Sequence, residues 1–92
     1  MKTYCLDCSD MVPRERTHPY LKQVLDLPSY YGGNLDALFD CLTEMGEPAV
    51  FQFSHLNDLR QLGDYGLRLV ETFRDAAEEN PILELVYLED NQ

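Results

Sequence analysis

Apolar positions along the chain fall into short runs with two different spacings. From Lys2 to Asp7, Tyr4 and Leu6 share one face and Cys5 takes the other, the period-two spacing of a strand. A loop through Pro13 and two arginines follows. Thr17 is placed to cap a short helix with His18 and Pro19 in its first turn, where proline forfeits no hydrogen bond. Leu21, Val24 and Leu25 give that helix its apolar stripe, and Pro28 ends it. Asn34 caps a second helix, predicted from Leu35 to Met45 and closed by Gly46. Pro48 precedes AVFQF, an apolar strand from Ala49 to Phe53. Leu56 to Leu62 reads as helix, interrupted around Gly63 and Gly66. A longer helix then runs to about Glu79, with Asn80 and Pro81 as its stop. ILELVYL, Ile82 to Leu88, is a strand with apolar residues on both faces.

The order is therefore strand, two helices, strand, two helices, strand. Parallel neighbours need crossover connections, so this alternation predicts an α/β domain with a small parallel sheet flanked by about four helices. Residues 1–92 are expected to form a single domain with one core, without internal repeat, linker or low-complexity tract.

The second helix has two faces of different character. Leu35, Leu38, Cys41, Leu42 and Met45 gather into a stripe that must face the sheet. Asp36, Phe39, Asp40 and Thr43 gather on nearly the opposite side. A carboxylate in the first turn, Asp36, gains about 0.3–1 kcal/mol from the helix dipole. Asp40 lies beyond that turn, and two like charges at i and i+4 repel. Phe39 among carboxylates either packs on Tyr30 or Tyr31 or serves as the aromatic anchor of a binding patch. On the long helix, Leu69, Val70, Phe73, Ala76 and Ala77 face inward, while Glu71, Asp75, Glu78 and Glu79 face outward. A solvated acidic face accounts for that run. So does an acidic surface continuous with Asp36 and Asp40.

Charge sharpens the second reading. The formal net charge is −10, distributed as +1 over residues 1–25 and −11 over residues 26–92. Such a field repels nucleic acid and attracts basic partners, although acidity also serves solubility alone. No apolar run reaches the ~20 residues of a membrane span, and MKTYCLDCSD lacks the apolar stretch of a signal peptide. A soluble cytoplasmic protein with no membrane association is the expectation. Three cysteines fit reduced thiols. Cys5 and Cys8 have the spacing of a redox or zinc pair, but the pair leaves a strand instead of opening a helix, where the dipole would lower a thiol pKa. A zinc site would need Cys5, Cys8 and His18 or His55 to converge; packing or incidental thiols are the plainer account, and neither metal nor cofactor is expected. No serine–histidine pairing or phosphate-cradling glycine loop stands out, and an exposed helix face gives Asp36 and Asp40 no cavity in which to be tuned as acid and base. Catalysis is not expected; a thiol–disulfide enzyme using Cys5 and Cys8 is the rival from another class, and a regulatory module for a basic partner is a third reading.

The stretch LDLPSYYGGNLDALFDCLTE, Leu25 to Glu44, resembles the barstar family of intracellular inhibitors of secreted bacterial ribonucleases. The resemblance rests on the leucine–proline start, the paired tyrosines, Gly32, Asn34, the run Leu35-Asp36-Ala37-Leu38 and the run Asp40-Cys41-Leu42-Thr43. TFRDAAEEN, Thr72 to Asn80, is a weaker echo. It implies a three-stranded parallel sheet flanked by helices. It also implies that the tyrosine-bearing loop and second helix plug a nuclease active site, an aspartate taking a phosphate position. Tyr30, Asn34, Asp36, Asp40 and Thr43 match contact positions. Phe39 stands where the family has tryptophan and Asp75 where it has glutamate, so the target is less well defined than the mode of binding. Partner-binding residues are thus expected to be Tyr30, Gly32, Asn34, Asp36, Phe39, Asp40, Thr43, Asp75 and Glu79. The expected partner is a basic extracellular ribonuclease, or a related toxin nuclease to which this chain confers immunity, bound one-to-one by a monomer.

Overall fold

A computed structural model describes residues 1–88. Its sheet has three parallel strands, β1 (Lys2–Asp7), β2 (Ala49–Ser54) and β3 (Leu83–Tyr87), with β2 in the centre. Pairing runs from Lys2 opposite Ala49 to Asp7 opposite Ser54, and from Ala49 opposite Leu83 to Phe53 opposite Tyr87. The crossovers carry three α-helices: α1 (Arg14–Val24) and α2 (Leu35–Thr43) between β1 and β2, and α3 (Asp64–Glu79) before β3. Two 3-10 segments, Cys8–Met11 and Leu56–Leu62, precede α1 and α3. This is the α/β architecture that the alternation of strands and helices predicts. The helix expected over Leu56–Leu62 is 3-10 in form, and Cys8–Met11 is 3-10 where the sequence predicts a loop.

Ala49, Phe51 and Phe53 point to the face of the sheet that carries the core, while Val50 and Gln52 lie on the opposite face between the exposed Thr3, Cys5 and Glu84. Ala49, Val50, Phe51 and Phe53 are buried. Phe73 of α3 meets them edge-on, its ring centroid 5.3 Å from Phe51 and 5.1 Å from Phe53. Leu6, Leu21, Leu38, Leu42, Leu69 and Ala76 complete the same cluster, so all three helices dock on one core.

Several boundaries differ from expectation, each for a local reason. Helix α1 starts at Arg14 after Pro13, so Thr17 is no cap. Thr17 is buried in the helix, and its Oγ1 donates to the Met11 carbonyl at 2.6 Å, tying α1 to the preceding 3-10 segment. Pro19 also lies inside α1, on its exposed side. Helix α2 ends at Thr43 instead of Met45. There the side-chain amide of Asn80 donates to the carbonyls of Leu42, Thr43 and Met45, at 3.2, 3.4 and 3.0 Å. The residue that stops α3 therefore also supplies donors to the orphan carbonyls at the end of α2.

Gly66 does not interrupt a helix; it is buried within α3. A Cβ there would lie 2.4 Å from the Leu59 carbonyl oxygen, so its absence lets the 3-10 segment lie against α3. Alanine normally favours a helix over glycine by about 1 kcal/mol. The backbone clash outweighs that gain, and Gly66→Ala is expected to lower stability by roughly 1–2 kcal/mol in urea denaturation. Unchanged or increased stability would show that the segment Leu56–Leu62 shifts freely.

Candidate functional site

The tyrosine loop is held from below. Leu27 is buried, its N–H donating to the Lys22 carbonyl at 3.0 Å, and the Tyr31 N–H donates to the Pro28 carbonyl at 2.9 Å. The two tyrosines then part company. Tyr31 is half-buried, with its hydroxyl 2.6 Å from Nδ1 of His18, while Nε2 of His18 is hydrogen-bonded to the Tyr65 hydroxyl of α3. The guanidinium of Arg14 lies 3.6 Å from the centroid of the Tyr65 ring. Tyr30 is 83% exposed. One ring anchors the loop to α1 and α3, and the other is displayed.

Burial, and then the charge of Arg14, lower the His18 pKa below its ordinary value of 6.5. A histidine depressed in the folded state binds fewer protons there than in the unfolded chain once the pH falls below 6.5. Stability therefore rises with pH across that window, is fully present above it, and is lost as acid reaches the folded pKa. His18→Gln is expected to flatten the stability difference between about pH 7.5 and pH 5.5. An unaltered slope in paired urea titrations would assign the acid sensitivity to other groups.

Helix α2 is built to hold its outward face still. The Asn34 Oδ1 accepts the Ala37 N–H at 2.7 Å, a cap of the kind worth about 0.5–2 kcal/mol. Gly33, with φ +69, turns the chain into that cap, and Gly32 lies so close that a Cβ would touch the Ala37 methyl at 3.4 Å. Asp36 and Asp40 are exposed. Thr43 is half-buried, its Oγ1 donating to the Asp40 carbonyl at 3.1 Å. Phe39 is not on the fully outward face that its spacing suggests. It is half-buried, packs on the core edge and turns toward α3. With Leu35, Asp36, Arg68, Glu71, Thr72 and Asp75 it lines a depression of about 220 Å³ between α2 and α3.

The structure thus brings Asp36, Phe39 and Asp75 to one place, with Asp40 and Thr43 continuing along α2. Glu79 is exposed in the last turn of α3, adjacent in sequence to Asn80, which holds the end of α2. Sequence reasoning missed Arg68 and Thr72 in the depression, and the His18–Tyr31–Tyr65 support. His18 is 13 residues from Tyr31 and 47 from Tyr65, so no local pattern announces the cluster.

The thiols take different environments. Cys5 is exposed, 3.8 Å from Oε1 of Gln52, whereas Cys8 is wholly buried in the core. Cys8 lies in the 3-10 segment that follows β1, where a serine would put a hydroxyl in an apolar cluster. Cys41 is half-buried, and burial, then Glu44 and Asp40, raise its thiol pKa. Among the described residues no group of three or more His, Cys, Asp or Glu is placed to hold a metal ion, and no helix is long and apolar enough to cross a membrane.

The family model described as Barstar (barnase inhibitor) matches residues 1–88. A curated relative from Bacillus subtilis (strain 168), named "Putative ribonuclease inhibitor YrdF", is 38% identical over 85 residues, covering 86% of this chain and 89% of that protein. The three-stranded parallel sheet, the capped second helix and the match across all the described residues lead to one conclusion: the chain belongs to the barstar family.

Proposed function

We propose that this protein inhibits a barnase-type ribonuclease by placing the face from Tyr30 to Thr43, with Asp75 and Glu79, over the enzyme's active site. The observation that carries the reading is the pair of exposed carboxylates, Asp36 and Asp40, on a capped helix beside Phe39 and Asp75. A ribonuclease site binds phosphates with arginine, lysine and histidine. Carboxylates held on a rigid helix satisfy those donors with charge-assisted hydrogen bonds, standing in for RNA phosphates. Tyr30 and Phe39 supply apolar area at the edge of the charged centre, as binding hot spots require. The net charge of −10 steers a basic nuclease toward the face and keeps nucleic acid away.

The complex is one-to-one, needs no cofactor, and forms in the cytoplasm, where it neutralises a nuclease before secretion or one that enters as a toxin. Phe39 and Asp75, the family's tryptophan and glutamate positions, adjust the choice of target. The name of the Bacillus relative supports a ribonuclease as the class of partner. The test is titration of a barnase-type ribonuclease, and of nuclease toxin domains from the same genome, with the purified protein. Inhibition should reach completion at one equivalent, with no RNA processed by the inhibitor and binding that weakens as salt rises. Failure to bind any of these nucleases would refute the reading.

A further inference from the structure

The acidic face is not the only unfilled surface. A trough of about 530 Å³, larger than the depression beside Phe39, runs along the other flank of α3. Leu56, Leu59, Leu67 and Val70 make it mainly apolar, Gly63 and Gly66 leave one end without side chains, and Arg60, Glu71 and Arg74 stand along it. Leu67 is 67% exposed, an unusual place for leucine in so charged a protein. The α3 residues lining the trough recur from Gly66 to Arg74, a length of about 12 Å along the helix.

The charge is the second observation. Residues 26–92 hold only three basic side chains against fourteen acidic ones. Two of the three, Arg60 and Arg74, stand at this trough. Among the described residues neither forms an ion pair; the single pair found is His55 with Asp7. Cations left unpaired in an acidic protein, on the 3-10 segment and on α3, match two separated carboxylates on an occupant. A basic nuclease suits the acidic face and not this one. A second copy would bring its whole charge of −10, whereas a short segment brings only the few carboxylates that the two arginines offset. A compact amphiphile with one carboxylate would leave one arginine and much of the length unused.

We propose that the trough between Leu56–Leu62 and α3 docks a peptide segment of a partner protein that presents apolar side chains flanked by acidic residues. The apolar side chains seat on Leu59, Leu67 and Val70, and the carboxylates meet Arg60 and Arg74, in the manner of a peptide laid along a hydrophobic groove. The trough lies on the other flank of α3 from the depression beside Phe39, with Glu71 between the two, and the inference does not rest on the nuclease reading.

The test pans a random peptide library displayed on phage against the intact protein, then measures synthetic copies of the enriched peptides by fluorescence anisotropy. The enriched sequences are expected to combine apolar residues with aspartate or glutamate. Leu67→Asp should abolish their binding, and Arg60→Glu and Arg74→Glu should each weaken it roughly ten-fold or more. Arg16→Glu, an equal charge change on exposed α1, and Asp40→Ala should leave it intact. Leu67 and both arginines are exposed, so these variants fold, as circular dichroism will check. The proposal is overturned if no peptide is enriched, if the peptides are basic and lost with Asp40→Ala, or if Leu67→Asp binds as well as wild type. It is equally overturned if sedimentation shows a self-dimer that Leu67→Asp dissociates, or if laurate binds at the trough while the peptides do not.

Discussion

Asp40→Ala is expected to weaken nuclease binding by about 2–5 kcal/mol, the general range for truncating one partner of a buried, hydrogen-bonded charge pair. Asp40 is exposed in the free protein and sits one turn past the position that the helix dipole rewards. Its backbone is fixed from two sides: the Leu38 and Ala37 N–H groups are capped by Asn34, and the Asp40 carbonyl accepts from Thr43 and the Glu44 N–H. The backbone beneath the carboxylate thus needs no ordering at the moment of binding, which leaves only the short side chain to be fixed. Removing it strands the cations it met, desolvated and unpaired. Dissociation should speed up far more than association slows. Asp36→Ala and truncation of Tyr30 should follow in size. Phe39→Ala should lose contact area with little change in salt dependence, because an uncharged ring is removed. Rates measured at two salt concentrations separate these cases; an Asp40→Ala variant that binds like wild type would place the partner elsewhere.

Phe73→Ala is expected to cost about 3–5 kcal/mol of folding stability, the usual loss for emptying a buried phenylalanine site. Its ring is 1% exposed, packs edge-on against both Phe51 and Phe53, and joins α3 to the central strand. Those neighbours belong to a strand bonded on both sides, so the backbone has little freedom to collapse into the void. The effect reaches the site as well, since Thr72 and Asp75 flank Phe73 on α3. A domain of this size has little stability to spare. Urea denaturation gives the measurement, and a loss below about 1 kcal/mol would mean that the core repacks.

Much of this organisation was legible in the residues. The run of apolar residues in AVFQF, the alternation in Lys2–Asp7 and the helical stripes of α2 and α3 each carry their own period, so the α/β class follows from local pattern. Asn34 as a cap was equally legible, because capping is a contact across three residues. What escaped depends on chain segments far apart. Thr17 resembles a helix cap by composition, but Pro13 starts the helix earlier and the hydroxyl is claimed by Met11. Gly66 resembles a breaker until the Leu59 carbonyl is seen against it. Phe39 has the angular position of an outward residue, yet its ring turns toward α3, a direction that helix periodicity does not encode. Cys8 follows Cys5 at a redox spacing, but the chain bends into a 3-10 segment and buries one sulfur while exposing the other. The roles of Tyr30 and Tyr31 were likewise indistinguishable before His18 was placed beneath one of them.

The most direct measurement is a crystal structure of the protein bound to its ribonuclease. The account predicts that the chain from Tyr30 to Thr43 fills the active-site cleft, with an Asp40 carboxylate oxygen about 2.7–2.9 Å from the arginine, lysine or histidine groups that bind RNA phosphate. Asp36 and Asp75 should face further cations, with Phe39 and Tyr30 closing the edge. A complex in which the nuclease leaves this face in solvent and its own active site open would contradict it.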